Sequence, residues 1–350
     1  MSVFDDIFGQ ARAVERLSGF LSTGRVPHAL LFHGPEGIGK RATASIFAGA
    51  LLCTDAEQEI CGECDSCRML GPGGHTDLMR VERLPKKESD TGKAGHDVEL
   101  RRWIVVDQIR RLSQLAALAP RHGRRRMFIV DPADRMNMEA QNALLKTLEE
   151  PPPRAVLILI ASRPRVLLPT VRSRCFGLPF RALMTDELTR LLEKRGIAAE
   201  EARARASLAQ GRPGAALDLD LSRTLGRREE MLSTLEHLVS DARAAGEIPS
   251  RAAVLAGKDE ATLVEGLDLL QSLLRDAARA GSDADPAGLL HGDLSERTGR
   301  LGRRLGARRA AALVAGIDRL RGDLRLNLNR TLVADVVLAA VAGGPIPSGS

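Results

Sequence analysis

The chain has 350 residues, of which 44% are hydrophobic and 27% charged, and this balance predicts a folded protein of two or three domains. Its net charge of +6 is compatible with work near a polyanion, whereas an aromatic content of 3% argues against binding nucleic acid through stacked bases. Because no apolar run reaches about eighteen residues and the N-terminal stretch MSVFDDIFGQ is acidic, we expect a cytoplasmic protein with no membrane span or secretory signal.

The first pattern along the chain is a phosphate-binding loop. An apolar strand is predicted over Leu30–Phe32 and an Ala-rich helix over Lys40–Leu52, with GPEGIGK between them. Glycines in such a loop let backbone N–H groups face phosphate oxygens at the positive end of the helix, and the lysine reaches the terminal phosphates. An ordinary Gly-rich turn is the alternative. The candidate nucleotide-binding residues here are Gly34, Gly37, Gly39 and Lys40.

The position after Lys40 departs from this pattern. A Ser or Thr hydroxyl is expected there as a ligand of Mg²⁺, but the chain has Arg41. Thr43 lies two positions further along the helix and does not replace the hydroxyl directly. We therefore expect ATP or ADP to bind weakly or not at all.

Four of the five cysteines cluster after this helix and supply as many thiolates as a tetrahedral Zn²⁺ site needs. The predicted ligands of a structural zinc ion are Cys53, Cys61, Cys64 and Cys67. Independent buried thiols are the alternative. His75 is either an additional ligand or a packing residue.

Two polar segments follow the cluster. Pro85–Asp97 is predicted to be a mobile loop, because it combines Gly, Lys and acidic residues without apolar periodicity. Arg121–Arg126, with the sequence RHGRRR, is either a solvated loop before a strand or a basic surface that contacts DNA.

A second apolar strand, Met127–Asp131, ends in a carboxylate of the kind that helps hold Mg²⁺ in nucleotide hydrolases. Asp131 is therefore a candidate site residue; a buried strand ending in a solvated Asp is the alternative. Hydrolytic proteins of this class place a Glu next, to orient water, where this chain has Pro132. Asp134 is predicted to begin the helix over Met136–Glu150 instead.

A third apolar strand is predicted over Ala155–Ser162, and continuous apolar strands separated by helices indicate a parallel sheet covered on both faces. The segment TVRSRCFGLPF then leaves Arg172 and Arg174 exposed at an edge of the sheet. An arginine that reaches the γ-phosphate of a neighbouring subunit, an arginine finger, stabilises transition-state charge. A plain solvated charge is the alternative for Arg174.

From Arg181 onward the pattern is helical. Thr185 or Asp186 is predicted to cap the first helix, and GRPGAAL, Gly211–Leu217, is predicted to separate two helices. Residues to about 342 are predicted to be all-helical, with a frayed tail after them.

Several of these segments resemble bacterial clamp-loader subunits, which are AAA+ proteins of the DNA polymerase III holoenzyme. The segments are FDDIFGQ (4–10), the Cys₄ insert, NALLKTLEEPP (142–152) and SRC (173–175). The resemblance covers residues 3–180 and extends through residue 220. It implies an α/β AAA+ P-loop domain with a parallel sheet and a Cys₄ zinc insert, then a small helical lid and an all-helical collar. The implied boundaries are 1–178 with the zinc module at 53–67, 179–220 for the lid, 221–343 for the collar and 344–350 for the tail.

The departures from this family are also informative. Its ATPase subunits, gamma and tau, have Ser or Thr after the loop lysine, Glu after the strand Asp and an Arg in the lid. This chain has Arg41, Pro132 and Gly214 there, and Arg212 is not an obvious substitute. Loss of these groups with retention of Arg174 resembles the delta prime type of subunit. The resemblance implies a stator that is not catalytic alone and supplies Arg174 to the ATP site of a neighbouring motor subunit.

The implied partners are gamma/tau and delta subunits in a hetero-pentameric ring, the sliding clamp indirectly, and primer-template DNA through its phosphates during replication. Two alternatives remain open from the residues. One is an active gamma/tau-like motor subunit, with Thr43 or water serving Mg²⁺ and Asp134 serving as the acid. The other is a zinc-dependent DNA-binding protein that uses the Cys module and Arg121–Arg126.

Overall fold

The computed structural model describes residues 3–4, 7–55, 60–70, 74–86, 100–280, 289–323 and 328–346. The chain divides into two compact units, residues 1–218 and 219–350. Part of the N-terminal segment (5–6), most of the predicted loop (87–97) and the end of the tail (347–350) lie outside the described residues. Within the described ranges, no helix combines the length and apolar character needed to cross a membrane. The finer predicted division, with a lid beginning at residue 179, stays a prediction.

The first unit is built on a five-stranded parallel sheet with the spatial order β2-β3-β4-β1-β5. Its strands are β1 (Ala29–His33), β2 (Leu78–Val81), β3 (Arg126–Val130), β4 (Ala155–Ala161) and β5 (Phe176–Pro179). The three strands predicted from the sequence are confirmed, although β3 ends one residue earlier than predicted. Asp131 is therefore the first residue after β3, at the carboxyl end of the sheet, where α/β proteins place their ligands.

The helices of this unit are α1 (Ala11–Thr23), α2 (Lys40–Leu52), α3 (Asp65–Met69), α4 (Val106–Ala116), α5 (Met138–Glu149), α6 (Pro169–Arg172), α7 (Thr185–Lys194), α8 (Ala199–Leu208) and α9 (Pro213–Asp218). Buried residues of α1 and α2 pack on one face of the sheet and those of α4, α5 and α6 on the other, whereas α7, α8 and α9 pack around a separate core. Along β1, Leu30 and Phe32 contribute to the core shared with α1 and α2, whereas Ala29 and Leu31 contribute to the opposite core shared with α4 and α5. This alternation with a period of two confirms the prediction of a parallel sheet covered on both faces.

The predicted start of the helix after β3 is wrong. Asp134 lies in a separate 3₁₀ helix, Ala133–Arg135, and its side chain is buried. The side chain of Asn137 caps α5 instead, by accepting a hydrogen bond from the Ala140 N–H at 2.9 Å. Asp134 is acidic and lies near the helix start, but the Asn three residues later is the one that satisfies the first turn.

The predicted caps of α7 are also wrong. Thr185 and Asp186 lie inside the first turn, and the Glu187 carboxylate accepts a hydrogen bond from the Met184 N–H at 2.9 Å. The predicted break at Gly211–Leu217 is partly wrong as well. The break is confined to residues 209–212, because α9 begins at Pro213, where a missing N–H costs nothing.

The second unit is helical, as predicted. Its helices are α10 (Leu221–Ser240), α11 (Ile248–Ala256), α12 (Glu260–Ala280), α13 (Ser295–Leu305), α14 (Ala307–Asp323) and α15 (Arg330–Val341). In α12, fully buried leucines recur every three or four residues and face the core of this unit: Leu263, Leu267, Leu270 and Leu274. This apolar packing explains the composition of the unit without invoking a ligand site.

Candidate functional site

The segment predicted to be a phosphate-binding loop connects β1 to α2. Gly34, Gly37 and Gly39 all have positive φ angles, of 144°, 77° and 95°. Gly34 is sterically required, because a Cβ there would lie 2.1 Å from the carbonyl oxygen of Phe180. The loop therefore curls tightly against the end of β5 before α2 begins at Lys40.

Lys40 is turned back onto this loop. Its Nζ donates hydrogen bonds to the carbonyl oxygens of Gly34, at 2.7 Å, and Pro35, and lies 3.5 Å from Oγ of Ser162. Burial lowers the pKa of the Lys40 ammonium. Ser162 directly follows β4, and the sequence analysis did not include it in the site. Only the sheet order, which places β4 beside β1, brings it to Lys40.

Arg41, which stands at the position expected for a hydroxyl ligand of Mg²⁺, pairs with two carboxylates. Its Nε lies 2.6 Å from Oδ2 of Asp131, and its Nη1 lies 2.9 Å from Oε1 of Glu82. The Arg41 side chain is 58% exposed, whereas that of Asp131 is 14% exposed. Burial raises the pKa of the Asp131 carboxyl, and the positive charge of Arg41 opposes that rise. The residues expected to hold Mg²⁺ are thus a guanidinium and the carboxylate paired with it.

The two groups that could compensate for Arg41 and Pro132 are engaged elsewhere. Thr43 is fully buried, and its hydroxyl donates to the carbonyl oxygen of Gly39 at 2.9 Å. Asp134 is also buried, and its Oδ2 accepts a hydrogen bond from the Arg163 N–H at 3.2 Å. Oδ1 of Asp134 is buried without a hydrogen-bond partner among the described residues.

Residues at the start of α9 lie against the loop. The Gly214 N–H donates to the carbonyl oxygen of Gly37 at 3.2 Å. A Cβ on Gly37 would lie 3.5 Å from Cβ of Arg212, whose Nε donates to Ala209. Gly214 therefore reaches the loop through its backbone alone. Arg212, which the sequence did not indicate as a substitute for the lid arginine, nevertheless lies beside the loop.

Gln10 is a second residue of the site that the sequence analysis missed. Its buried side chain donates to the carbonyl oxygens of Arg181, at 2.7 Å, and Ile38, at 3.4 Å. It also accepts a hydrogen bond from the Arg181 N–H at 3.1 Å. Gln10 thus ties the N-terminal segment to the phosphate loop and to the strand that ends at Pro179. Because its partners are backbone groups far away in sequence, no local pattern predicts this role.

The four clustered cysteines come together in space. Their sulfur atoms all lie within 4.8 Å of one another. The Cys53–Cys64 and Cys61–Cys67 pairs are separated by 4.0 and 3.8 Å. A tetrahedral site with zinc–sulfur bonds of about 2.3 Å requires sulfur atoms about 3.8 Å apart, so this arrangement fits one zinc ion.

The surroundings of the sulfur atoms also fit a metal. The backbone N–H of Cys64 donates to the sulfur of Cys61 at 3.4 Å, and that of Cys67 donates to the sulfur of Cys64 at 3.3 Å. Hydrogen bonds from Thr54, and then from Cys67, lower the pKa of Cys64 to about 5. Such donors stabilise the thiolate form, which is the form that ligates a metal.

His75 takes the packing role. Its Nδ1 accepts a hydrogen bond from the Asp77 N–H at 2.9 Å, so its Nε2 carries the proton and donates to Oγ of Ser66 at 2.7 Å. The Ser66 hydroxyl in turn donates to the carbonyl oxygen of Leu52 at 2.5 Å. Both ring nitrogens of His75 are therefore used in a buried chain that joins the cysteine cluster to the end of α2.

The basic run Arg121–Arg126 is organised around one carboxylate. Asp77 is fully buried and accepts hydrogen bonds from the backbone N–H groups of Arg121, His122 and Gly123. The buried guanidinium of Arg126 lies 3.2 Å from Oδ1 of Asp77. Burial alone would raise the pKa of Asp77, but the amides of His122, Arg121 and Gly123, followed by Arg126, lower it below its ordinary value. Part of this run thus has a structural role.

Arg174 lies between α6 and β5, at the predicted edge of the sheet, but it is only partly exposed. Its side chain is 36% exposed, and its Nη2 lies 2.8 Å from Oε1 of Glu149, in the NALLKTLEE segment. Its Nη1 donates to the carbonyl oxygen of Thr170 at 3.0 Å. Arg172, two residues earlier, is exposed at the end of α6. The sequence analysis predicted an exposed Arg174 but not its partner Glu149.

Comparison with known proteins adds an independent observation. A family model described as "DNA polymerase III, delta subunit" matches residues 9–184, half of the chain. The delta' subunit of DNA polymerase III from Pseudomonas aeruginosa is 42% identical over 149 residues, 42% of this chain and 41% of that protein. The gamma/tau subunit from Mycobacterium tuberculosis is 36% identical over 206 residues, 57% of this chain and 33% of that protein.

The matched regions cover less than half the length of either relative. A solved structure, that of a gamma subunit-related protein from Thermotoga maritima, has 19% identity and a TM-score of 0.37, and covers 94% of this chain and 98% of that chain. Both kinds of subunit are thus among the relatives, and overall similarity does not choose between them.

Proposed function

The chain belongs to the DNA polymerase III delta subunit family, and on that premise we propose that it is a delta prime-type stator of the clamp loader. In this role it helps the ring to load the sliding clamp onto primed DNA without hydrolysing ATP itself. The observation that carries this proposal is the ion pair between Arg41 and Asp131 in the phosphate site. A guanidinium stands where a motor subunit would hold Mg²⁺.

The groups that a motor subunit would need for hydrolysis make other contacts in this chain, and these contacts also support the proposal. In the alternative proposal, an active gamma/tau-like ATPase, Thr43 would serve the metal and Asp134 would act as the acid near the attacking water. The Thr43 hydroxyl is committed to the carbonyl oxygen of Gly39, and Asp134 is buried against Arg163. Pro132 offers neither an acid nor an N–H. These contacts favour the stator over the motor.

Arg174 provides the activity that the proposal gives to this chain. Its guanidinium is partly exposed, and its partner Glu149 is itself 48% exposed, so the pair can exchange for a phosphate of higher charge. We assign it as the arginine finger that completes the ATP site of a neighbouring subunit. The proposed partners are gamma/tau and delta subunits in a five-membered ring, with contacts to primer-template DNA through phosphates.

A turnover assay with the purified chain separates the stator from the motor. We expect no Mg²⁺-dependent release of phosphate from ATP, in the absence or presence of primed DNA. Lys40→Ala is the matched control, because any activity that survives this change comes from a contaminant. Turnover that requires both Mg²⁺ and Lys40 would contradict the stator assignment and favour the motor alternative.

A further inference from the structure

We propose that Arg41 takes the place of the magnesium ion in the phosphate site, so that this chain receives the phosphates of a nucleotide without a divalent cation. This inference rests on the proposed function only in treating the Gly34–Lys40 loop as a nucleotide site. It adds the chemical form of the ligand, a metal-free nucleoside di- or triphosphate. In this proposal Arg41 has a positive role, because it binds phosphate in place of the metal and is more than a position at which a metal ligand is missing.

Arg41 stands at a position where a ligand of Mg²⁺ is expected. In metal-dependent phosphate loops, the residue after the lysine supplies a hydroxyl to Mg²⁺, and the carboxylate at the end of β3 helps to hold the same ion. Here the side chain from the first position pairs directly with the carboxylate at the second, at 2.6 Å. One guanidinium therefore bridges the two elements, α2 and β3, that a magnesium ion would otherwise link.

The groups around Arg41 are poorly suited to bind Mg²⁺. Mg²⁺ requires oxygen ligands in a near-octahedral shell, and a guanidinium offers only N–H donors. The Thr43 hydroxyl donates to the Gly39 carbonyl, and the Asp131 carboxylate is shared with Arg41. An ion at this place would have to displace Arg41 from both Asp131 and Glu82, and would then lie close to two other positive charges, Arg41 and Lys40.

The site retains positively charged groups that can bind an anion. Lys40 and Arg41 are consecutive at the start of α2, a helix of 13 residues whose N-terminus faces the loop. Arg41 is 58% exposed, so its guanidinium is accessible to a phosphate oxygen while it stays paired with Asp131. Arginine binds phosphate well in a charge-assisted geometry, so the pair Lys40 and Arg41 supplies the positive charge that a metal would bring.

The experiment measures the affinity of the full chain for fluorescently labelled ATP and ADP, once with Mg²⁺ and once with EDTA. Wild type is compared with Arg41→Thr, which restores the hydroxyl, and with Arg41→Lys, which keeps the charge. Arg16→Thr, the same change at an exposed position of α1, is the matched control. Melting followed by fluorescence of Trp103 confirms that each variant is folded.

We expect the affinity of wild type, Arg41→Lys and Arg16→Thr to be unchanged by Mg²⁺, within about twofold, and that of Arg41→Thr to rise at least about tenfold with Mg²⁺. A wild type that binds neither nucleotide in either medium would overturn the proposal of a metal-free nucleotide ligand, even if Arg41→Thr responds to Mg²⁺.

Tighter binding of Mg²⁺-nucleotide by wild type would overturn the inference, and so would an Arg41→Thr variant that remains indifferent to Mg²⁺. These results are separate from the fate of the stator proposal. Mg²⁺-dependent affinity without turnover would leave the stator standing and remove only the role of Arg41. Mg²⁺-dependent turnover would remove both.

Discussion

The Nε atom of Arg41 lies 2.6 Å from Oδ2 of Asp131, so the residue that interrupts the phosphate-loop pattern is the partner of the residue that continues it. In the sequence, 90 positions separate these two residues, and no local pattern connects them. In the fold, they form an ion pair at the carboxyl end of the parallel sheet. The side chain that stands at the expected hydroxyl position is therefore directly paired with the strand carboxylate.

The first prediction is that Arg41→Thr does not become an ATPase. The substitution opens the site to Mg²⁺, but Pro132 still stands where an acid would orient the attacking water. We expect phosphate release by the purified variant to stay at the level of Arg41→Thr combined with Lys40→Ala. Clear Mg²⁺-dependent turnover by the single variant would mean that Asp134 or another group performs this role.

The second prediction concerns Asp77. Asp77→Ala leaves the buried Arg126 guanidinium and three backbone N–H groups without their acceptor, and we expect a loss of about 3–5 kcal/mol in stability of the first unit. Trp103, the single tryptophan, lies in this unit, so denaturation followed by its fluorescence measures the effect. Asp107→Ala, at an exposed acid of α4, is the control and should cost less than about 1 kcal/mol. Equal effects of the two substitutions would contradict the structural role of Asp77.

The third prediction is the pH dependence of the same unit. The pKa of Asp77 is lower in the folded chain than in the unfolded chain. The stability contributed by this carboxylate is therefore fully present above the unfolded-state value of about 3.9, and is lost as pH falls through the folded value. We expect Asp77→Asn to flatten the fall in stability below about pH 4 relative to wild type. Parallel acid profiles for the two proteins would show that other carboxylates account for it.

The fourth prediction is that the chain binds one structural zinc ion. Metal analysis of the purified protein should find about one zinc per chain, and Cys64→Ser should lose it, because a closed site needs four ligands. Cys175→Ser is the matched control. Burial raises the pKa of that thiol to about 12, and its sulfur is not in the cluster, so this variant should keep its zinc. Equal zinc content in the two variants would rule out the Cys₄ site.

Local patterns predicted the elements with short-range causes. The phosphate loop, the strands beside it and the cysteine cluster follow from spacing within a few residues, and all are present. The predicted helix start at Asp134 and the predicted cap at Thr185 or Asp186 were wrong because several polar residues compete near each helix start. Only the folded backbone selects Asn137 and Glu187.

Long-range contacts at the site were beyond the sequence. Ser162 reaches Lys40 only because β4 and β1 are neighbours, and Gln10 makes hydrogen bonds to backbone groups up to 171 positions away. The run Arg121–Arg126 shows the same limit. Its composition indicated a solvated or DNA-binding loop, but its backbone is wrapped around Asp77, which lies more than forty positions earlier.

The fifth prediction distinguishes two roles for Arg174, an arginine finger and a purely structural ion pair with Glu149. Arg174 and Glu149 lie 2.8 Å apart, so a purely structural role would make the two residues equally sensitive to substitution. We expect Glu149→Ala to leave the ATPase rate of the rebuilt clamp loader at or above the wild-type rate, because it releases the guanidinium. A loss with Glu149→Ala as large as the loss with Arg174→Ala would favour the structural role.

The measurement that tests the central claim most directly is DNA-stimulated ATP hydrolysis by a clamp loader rebuilt with Arg174→Ala. Arg172→Ala, an exposed arginine two residues earlier, is the matched control, and size-exclusion chromatography confirms that both rings assemble. A finger acting on a neighbouring site predicts a loss of about a thousandfold at that site, with Arg172→Ala at the wild-type rate. An unchanged rate in the assembled Arg174→Ala ring would contradict the account and leave Arg174 as a surface charge paired with Glu149.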